Sequence, residues 1–594
     1  MGNNILIIPC CEKGKGSGHF MRCIRLVSDL RALNSNARIY LPHDFNVPES
    51  VNFNIEWQAD DQFKPDLIIL DRFKTPLNEL KKWKKISPVI GIDEGGKYRD
   101  KMDFLIDVLI PKDFIKPAAN TASAALIKFL PVSVKKQTNN KKIKILIAFG
   151  QEDSAGLGIK TAKILSKKNI DNAEITLLSG ALKDSHSAPQ DLKKIKVLHA
   201  IPGLAEHLNE YDLVITHYGL TAYEAVFSGT ALLLAHPSFL HKKLAKAAGF
   251  LSFSKYIKIL LKNRKDIHAQ IIKIQEHYDK IAADLKLDSK ETSLSGLINS
   301  LSVQVSLHCP VCGRETPEHS IARFYERTYR RCRNCANIYM DRTFPPAIEY
   351  EREYFFESYK KQYGKTYIED FPNLTALAEK RLKNIKSLLN KTALESLNGE
   401  NPAILDIGCA YGPFLYAAKK EGFSPYGIDP AKDAVSYVQT QMGIPAAEGY
   451  FPGCSSSFLK PHFFNAVTLW YVIEHFRDCV PVFTEIKKLL KQGGLLAFST
   501  PSFTGISGRS SLKDFLFKSP ADHYTIWSPS ACRKALALCG FKVKKIVING
   551  HHPERFPLLG KFAKNKTGVV YCLLSAISRL LKTGDTFEVY AEAI

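Results

Sequence analysis

The sequence lacks several features that would identify whole classes of protein. Its longest apolar runs, such as residues 568–577, stop well short of the ~20 residues that a membrane-spanning helix needs. The N-terminus reaches Cys10 without a basic leader and a long apolar core, so we interpret it as a first strand rather than a signal peptide. No solenoid-type repeat of fixed period is present. These absences predict a cytoplasmic protein without membrane insertion.

Composition excludes large-scale disorder, collagen and coiled coil, because 45% hydrophobic and 24% charged residues are ordinary globular values. At roughly 150 residues per domain, 594 residues predict three or four domains. The formal net charge is +23. The lysines are spread over both halves and form no arginine–aromatic stripe. The charge therefore indicates solvated lysine faces and suits a small anionic ligand, and it argues against nucleic acid.

Residues 1–300 alternate short apolar strands with amphipathic helices, which is typical of parallel, doubly wound α/β sheets. A Lys/Asn/Thr-rich break at 135–142 predicts two lobes, 1–138 and 139–300, and we expect residues 251–300 to be helical and to pack on the preceding lobe. A cysteine module with its connector follows at 305–372, and a third α/β unit at 373–594. The strands predicted in the first two lobes are 4–10, 37–42, 65–71, 88–93, 103–111, 143–150, 173–180, 195–201, 211–217 and 231–237.

A glycine-rich loop connects the first strand to an amphipathic helix. Residues 14–19 read Gly-Lys-Gly-Ser-Gly-His, and they are not a Walker A sequence because no Gly-Lys-Ser/Thr closes the loop. Glycines at a strand–helix switch let a ligand approach the backbone, and the helix N-terminus favours an anion. A histidine in such a loop is as often a contact of the helix N-terminus as a catalyst.

The loop and two later segments together resemble one enzyme family. Residues 16–23 are similar to the Gly-x-Gly-His-x-x-Arg loop of the PseG-type UDP-sugar hydrolases of pseudaminic acid biosynthesis. Residues 149–153 resemble that family's Gly-Gly-x-Asp segment, with Gln151 in place of the second glycine, and residues 219–224 resemble its Gly-Ser/Thr-x-x-x-Glu turn. The likeness covers about residues 1–290. It implies a GT-B fold, in which two Rossmann-like lobes hold the ligand in the cleft between them.

By this resemblance, His19 would be the catalytic base or would orient the attacking water. A neutral imidazole, with an unperturbed pKa near ~6.5, can accept that proton at physiological pH. The implied ligand is a UDP-amino sugar, and the carboxylate of Glu224 would accept its ribose hydroxyls. The other implied substrate contacts are Gly16, Gly18, Gly150, Gly219 and Thr221. Two alternatives stay open: a glycosyltransferase on the same fold, and a lobe pair that only binds a nucleotide sugar.

Two Cys-x-x-Cys pairs form a compact cysteine module. The chain has 13 cysteines, an odd number, so reduced thiols and metal ligation come before disulfides. Four thiolates at this spacing can close a tetrahedral shell around Zn²⁺, with bonds of about 2.3 Å. A full shell leaves no open position for water, which predicts a structural zinc in a zinc ribbon; the alternative is a redox pair. The four ligands are Cys309, Cys312, Cys332 and Cys335.

Residues 403–412 read as an apolar strand, an acid and a glycine-rich turn, and a second strand ends in Asp429 near twenty residues later. That layout fits a nucleoside site, because the turn admits the ligand and the second acid accepts ribose hydroxyls. A dinucleotide fingerprint would need glycine where Ala410 stands.

The run resembles motif I of class I S-adenosylmethionine-dependent methyltransferases, and residues 474–475 and 489–494 resemble later pieces of that family. The likeness covers about residues 375–594 and implies a Rossmann-like domain with S-adenosylmethionine as cofactor. For a hydroxyl acceptor the protein must also supply a base, for which His475 and His523 are the candidates. The implied cofactor contacts are Asp406, Gly408, Gly412, Asp429 and Glu474.

The combined prediction is a bifunctional α/β enzyme: a GT-B half, a zinc ribbon and a class I methyltransferase. It would release UDP from an amino-sugar nucleotide and methylate, most simply at oxygen, a sugar-type acceptor in surface-glycan or nonulosonic acid biosynthesis. The alternatives are an RNA methyltransferase, a methyltransferase with a non-catalytic nucleotide-sugar-binding module, and a glycosyltransferase fused to a methyltransferase.

Overall fold

The computed structural model divides the chain into two compact units, residues 1–304 with 323–326, and residues 305–322 with 327–594. Among the described residues no helix is both long and apolar enough to cross a membrane. The predicted break at 135–142 lies outside the described residues. The structure describes every residue except 1–2, 12–17, 43–44, 46, 48–53, 61, 127–141, 151–152, 154, 169–172, 179–194, 200, 202, 263–266, 289–292, 302, 304, 306–307, 316–319, 344–356, 358, 390–400, 564 and 566–567.

The first unit contains two parallel sheets, with strand orders β2-β1-β3-β4-β5-β6 and β11-β10-β7-β8-β9. All ten predicted strands are present, and the short β6 was not predicted. Eight of the ten end earlier than expected, β3 ends where expected, and the predicted end of β8 lies outside the described residues. The strands are rich in Val, Ile and Leu because helices cover both faces of such sheets. Their bounds are β1 Asn4–Pro9, β2 Asn36–Ile39, β3 Leu67–Asp71, β4 Val89–Ile92, β5 Phe104–Asp107, β6 Thr121–Ala122, β7 Ile143–Ile147, β8 Ala173–Leu178, β9 Ile195–Leu198, β10 Leu213–Thr216 and β11 Ala231–Leu234.

Helices connect these strands, and the last of them corrects one expectation. The described residues of 251–300 are largely helical, as predicted. Helix Leu294–Ser300, however, packs against helix Gly18–Ala32 of the first lobe, and Ser35 Oγ lies 2.5 Å from Asn299 Oδ1. The buried Leu297 and Ile298 give this helix an apolar side that the first lobe covers. The helices of the unit are Gly18–Ala32, Leu77–Lys84, Leu157–Lys168, Leu204–His207, Leu220–Phe227, Phe239–Ala247, Phe253–Lys262, Ile267–Asp288 and Leu294–Ser300.

The second unit combines a four-stranded sheet, β12-β13-β14-β20, with a seven-stranded sheet, β17-β16-β15-β18-β19-β22-β21. In the larger sheet β22 runs antiparallel between β19 and β21, and the pairs from β17 to β19 are parallel. The bounds are β12 Ser320–Phe324, β13 Arg327–Arg331, β14 Ile338–Arg342, β15 Ala403–Ile407, β16 Ser424–Asp429, β17 Ala446–Glu448, β18 Phe464–Trp470, β19 Leu490–Pro501, β20 Thr525–Ile526, β21 Phe541–Asn549 and β22 Thr586–Ala593.

The cysteine module belongs to the hydrophobic core of the seven-stranded sheet. Cys309, Val311, Cys332 and Cys335 are buried in one hydrophobic cluster with residues of the seven-stranded sheet and its helices. Strand β14 of the module pairs with β20, which lies more than 180 residues later in the chain. The helices of this unit are Tyr359–Tyr363, Phe371–Leu388, Pro413–Lys420, Lys432–Met442, Cys479–Leu489, Ile506–Ser510, Leu512–Lys518, Pro529–Leu538 and Val569–Leu580.

Among its parallel strands, each large sheet reverses its strand order at one place. These switch points are β1/β3, β7/β10 and β15/β18. In open α/β sheets, ligands bind outside the carboxyl ends of the strands at such a point, because the connecting helices there leave to opposite faces and open a crevice. The topology therefore marks three positions for binding sites.

Candidate functional site

The β1/β3 switch point holds a histidine–aspartate pair. His19, in the first turn of the helix after β1, has its Nδ1 atom 2.7 Å from Oδ1 of Asp71, the last residue of β3. The His19 side chain keeps 24% of its surface exposed, whereas Asp71 is fully buried. A carboxylate only accepts, so Nδ1 carries the hydrogen, and Nε2 is the ring nitrogen left for a ligand.

A buried charge network holds this aspartate in place. Arg22 donates from Nε and Nη2 to the two carboxylate oxygens of Asp71 and from Nη1 to Oδ2 of Asp93, at 2.5–2.7 Å. The other oxygen of Asp93 accepts the backbone N–H groups of residues 108, 109 and 110. Burial alone would raise the pKa of Asp71, but Arg22 and His19 hold it well below its usual range. Asp71 is therefore a fixed anion that orients His19.

The other sequence-predicted contacts lie on both lobes of this unit. A Cβ placed on Gly18, Gly150 or Gly219 would meet no atom of the described residues within 4 Å, so the described structure leaves open space beside the backbone at these positions. Gly150 and Gly219 follow β7 and β10, the two strands of the second switch point. Glu224 accepts Arg25 Nη1 at 3.1 Å, and Thr221 is half-buried in the first turn of the same helix. Gly16 lies outside the described residues.

Sequence reasoning missed the partners at this site. Asp71 and Asp93 are the last residues of two predicted strands, and this position was the sequence signal for them. Their contacts with His19 and Arg22 join residues that are 49 to 71 positions apart in the chain, so the sequence did not indicate these contacts. His217, after β10, was also missed; burial lowers its pKa to about 4, so it is a neutral ring. It stacks on His241, whose Nδ1 lies 2.7 Å from Ser238 Oγ.

The four predicted zinc ligands come together. Their Sγ atoms all lie within 4.8 Å of one another, with 3.6 Å between Cys309 and Cys335 and 3.8 Å between Cys312 and Cys332. Zn–S bonds of about 2.3 Å in a tetrahedron need sulfur atoms about 3.8 Å apart, so the donor set fits zinc. Gly313 N and Ala336 N, each one residue past a Cys-x-x-Cys pair, donate to Cys309 O and Cys332 O, which closes two matching knuckles.

At the β15/β18 switch point, the glycine-rich turn and two carboxylates form one loop system. Asp429, at the end of β16, accepts the N–H groups of Ala410 and Ala431 at 2.8 and 2.9 Å, one on each oxygen. Thr468 Oγ1 donates to Asp406 Oδ1 at 2.6 Å. Gly408 has a φ of +75°, and a Cβ there would lie 2.5 Å from Val472, so the turn requires glycine. Gly412 begins the next helix and also has a positive φ.

The residues after β18 form the most charged part of the site. Glu474 is buried, and its Oε2 atom has no hydrogen-bond partner among the residues that the structure describes. Burial raises the pKa of Glu474 and of Asp406 to about 7 each. A buried carboxylate oxygen with an open acceptor position needs a donor, and a ligand with hydroxyl or cationic groups supplies one.

The two candidate bases have opposite properties. Nδ1 of His475 lies 2.8 Å from Asp522 Oδ2. Burial by itself would lower the pKa of His475, but the hydrogen bond to Asp522 and the charge of Glu474 outweigh burial, so the pKa is raised above its usual value. His523 packs edge-on against His475, with ring centroids 4.8 Å apart. Burial and the neighbouring His475 lower the pKa of His523 to about 3. His475 is therefore the ring that can take up a proton, and His523 stays neutral.

The zinc module positions the partner of His475. Asp522 and His523 lie three and two residues before β20, which pairs with β14 of the module. Arg327, on β13, donates to the backbone oxygens of residues 519 and 520, and Thr525 Oγ1 donates to Ile473 O in the turn that carries Glu474 and His475. This dependence of the site on the cysteine module could not be read from the sequence.

A tyrosine outside the predicted site also lies beside the glycine-rich turn. Tyr367 packs with Tyr411 and Tyr437 against Ala410, Ala431 and Ala434. Burial and the charges of Asp406 and Asp429 raise its pKa well above the usual value. The aromatic residues preceding Phe371 were the only sequence signal for it.

Comparison with known proteins identifies one domain. Residues 377–546 match the family model of a methyltransferase domain. The second unit therefore contains a methyltransferase domain, with a class I Rossmann-like sheet.

Curated relatives match parts of the chain. An uncharacterized protein of Methanocaldococcus jannaschii, MJ1062, is 25% identical over 284 residues, 40% of this chain and 57% of the relative. The ubiquinone biosynthesis O-methyltransferase of Vibrio cholerae is 28% identical over 125 residues, 20% of this chain and 51% of the relative. The chain thus spans about half the length of these relatives. Among solved structures, a SAM-dependent methyltransferase from Archaeoglobus fulgidus is 16% identical, with a TM-score of 0.28. The match covers 40% of this chain and 99% of the Archaeoglobus chain.

Proposed function

We propose that the second unit transfers a methyl group from S-adenosylmethionine to a hydroxyl of a sugar-type acceptor. The observation that carries the proposal is the Asp522–His475 pair beside the buried Glu474, at the β15/β18 switch point of a methyltransferase domain. A histidine whose Nδ1 is fixed by a carboxylate presents Nε2 in the tautomer that accepts a proton.

The residues present fit the cofactor. Asp406, Asp429 and Glu474 are all buried, and burial raises the pKa of each, so the pocket has an excess of carboxylates. A ligand with a sulfonium, an ammonium and two ribose hydroxyls meets this need. Each oxygen of Asp429 already accepts one backbone N–H and keeps a further acceptor position for a ribose hydroxyl. When bound, the cofactor supplies the activated methyl group.

In this proposal the chain contributes position and a base. His475 Nε2 takes the proton of the acceptor hydroxyl, and Asp522 stabilises the imidazolium that results. Glu474 accepts a further hydrogen bond through its open Oε2 atom, and His523, held neutral, packs against His475 and limits its ring orientation.

The test is the pH profile of methyl transfer. Asp522→Asn removes the charge that raises the pKa of His475, so we expect the rate to fall by about 10²–10⁴-fold and the acidic limb of the profile to move to lower pH. Labelled S-adenosylmethionine with a panel of amino sugars and nonulosonic acids provides the assay. Asp433→Asn, an exposed aspartate on a helix of the same domain, is the control. An unshifted profile in Asp522→Asn would exclude His475 as the base.

For the first unit we propose hydrolysis of a UDP-amino sugar within a GT-B fold. Three observations support it: two parallel sheets, a last helix that packs back on the first lobe, and the His19–Asp71 pair at a switch point. His19 Nε2 would take a proton from water, while the open loops at Gly18, Gly150 and Gly219 would face the diphosphate. The pathway would then be surface-glycan or nonulosonic acid biosynthesis, with both activities in one chain.

His19→Asn tests this half. We expect loss of a positioned base to reduce UDP release by about 10²–10⁴-fold and to leave methyl transfer unchanged, because the two sites lie in separate units. UDP and free sugar are measured by mass spectrometry. A hydrolase releases both products in the presence of water alone, whereas a glycosyltransferase releases UDP only when an acceptor is added. His207→Asn, at another histidine–carboxylate pair, is the matched control. No UDP release by the wild-type chain would leave nucleotide-sugar binding as the role of this unit.

A further inference from the structure

The insertion between β21 and β22 exposes large apolar side chains on one side. Helix Val569–Leu580 buries Leu574 and Ser578, whereas Val569, Leu573 and Leu580 are 86%, 59% and 81% exposed. The preceding turns add Leu558 and Phe562, which are 86% and 64% exposed. We call these five side chains the apolar face: Leu558, Phe562, Val569, Leu573 and Leu580. Val569, Leu573 and Leu580 share one side of the helix because they are spaced by four and seven residues, and a cluster of exposed apolar side chains of this kind marks an interaction site.

The segment that carries the apolar face is basic, and the nearest described acids are Glu554, which pairs with His552, and the buried Asp585, which pairs with Arg555. Residues 556–584 contain five lysines and arginines and no aspartate or glutamate. Of the described cations, Lys561 lies over the ring of Phe562, with Nζ 5.0 Å from the ring centroid, and Arg579 and Lys582 are exposed at the end of the helix. An apolar face within a segment whose own charges are all cationic is complementary to a surface that is apolar inside and anionic outside.

A basic groove continues from the end of this helix. Helix Pro529–Leu538, β21 and the end of helix Val569–Leu580 border this open groove, which has a volume of about 780 Å³ and whose lining includes Arg533, His551, Arg579, Lys582 and residues 546–550. Within the part of the chain that the structure describes, Arg533, Arg579 and Lys582 form no ion pair. A phosphate group would supply the missing counter-charge.

We propose that this face docks the protein on an anionic lipid membrane, with the helix lying in the interface and the groove taking a lipid phosphate. An interfacial helix of this type has an apolar side in the acyl boundary and Lys or Arg side chains at the headgroups. A second copy of the chain is the weaker occupant, because it would bring the same basic rim against itself and each chain has a net charge of +23. The proposal is independent of the reaction proposed above.

Vesicle flotation with the full chain tests this inference. We expect the protein to float with vesicles of phosphatidylcholine and phosphatidylglycerol, not with phosphatidylcholine alone, and to be released by high salt. Val569→Asp with Leu580→Asp should reduce the bound fraction at least about tenfold, because both side chains would leave the acyl boundary. Lys561→Glu with Lys582→Glu should do the same through lost headgroup attraction.

Two double variants elsewhere are the controls. Ile55→Asp with Ile86→Asp changes two other exposed apolar residues, and Lys81→Glu with Lys85→Glu makes the same change in net charge. Both should float like the wild type. An equal loss of vesicle binding in the control variants would mean that the effect does not depend on this face, and it would overturn the proposal. If the wild-type protein did not float with anionic vesicles, the proposal would also be overturned. Loss of a dimer in Val569→Asp with Leu580→Asp, in sedimentation without vesicles, would assign the face to a second copy instead.

Discussion

At the scale of single residues, the two proposed active sites use the same arrangement. His19 and His475 each place Nδ1 against a carboxylate oxygen, at 2.7 and 2.8 Å, and each follows a strand at a switch point. In both cases the aspartate partner lies about 50 residues away in the chain. The glycine-rich loop and the Glu-His dipeptide predict the histidines, but a partner so distant in sequence becomes visible only when the sheet is formed.

Glu474 makes a second residue-scale point, because its position costs stability. Its pKa is about 7 in the folded protein and about 4.5 in the unfolded chain, so ionisation destabilises the fold as pH rises through this window. A shift of this size corresponds to about 3 kcal/mol above pH 7. We expect Glu474→Gln to raise the free energy of unfolding at pH 8 by up to that amount, with little change at pH 4, and to reduce methyl transfer.

Denaturant unfolding of the variant at the two pH values measures this effect. Glu448→Gln, at the exposed end of β17, is the matched control and should leave stability unchanged at both. A loss of stability in Glu474→Gln at pH 8 would mean that the carboxylate is stabilised by a partner. The gain in stability at the expense of activity is the usual sign of a functional residue.

At the scale of elements, the positions of the strands along the chain follow from the sequence better than the strand ends do. The predicted strands ran too far because apolar residues continue past the carboxyl ends, as in residues 108–110. Those extra residues form the loops of the site: their backbone N–H groups bind Asp93 instead of a neighbouring strand. The pattern of apolar residues in the sequence indicates which residues are buried. A buried loop at a binding site therefore has the same apolar pattern as a strand.

The cysteine module is the element whose role the sequence least predicts. The Cys-x-x-Cys spacing predicts zinc, and the four Sγ atoms have the spacing that zinc needs. The pairing of β14 with β20 was not predictable, because it joins Ile338 and Tyr339 to Ile526 and Thr525 across most of the unit. Through this pairing the module holds Asp522 against His475.

Removal of zinc should therefore affect both folding and catalysis. In Cys332→Ser with Cys335→Ser we expect loss of one bound zinc per chain and a fall of several kcal/mol in the stability of the second unit, because metal-binding free energy is folding free energy. The acidic limb of methyl transfer should move to lower pH in the protein that remains folded. Metal analysis, thermal unfolding and the pH profile measure these effects. Cys454→Ser with Cys572→Ser, outside the cluster, should change none of them.

At the scale of the whole molecule, two units with separate cores predict separable unfolding. S-adenosylmethionine at a hundredfold excess over its Kd should stabilise one calorimetric transition by about 2.7 kcal/mol, and a zinc chelator should lower that same transition. UDP should raise the other transition only. A single transition that responds to S-adenosylmethionine, the chelator and UDP would show that the two units unfold together. An effect of UDP on the methyltransferase transition would show that UDP binds the second unit and would contradict the proposed site in the first.

The order of strands in the seven-stranded sheet has a consequence for synthesis. Strand β22 lies between β19 and β21, so the edge of β19 stays unpaired until residues 586–593 have been made. About 85 residues separate the end of β19 from β22, which at 5–20 residues per second corresponds to roughly 4–17 s on the ribosome. During that time an apolar strand edge is open to wrong partners. The nascent methyltransferase is thus a natural client for a chaperone that shields strand edges.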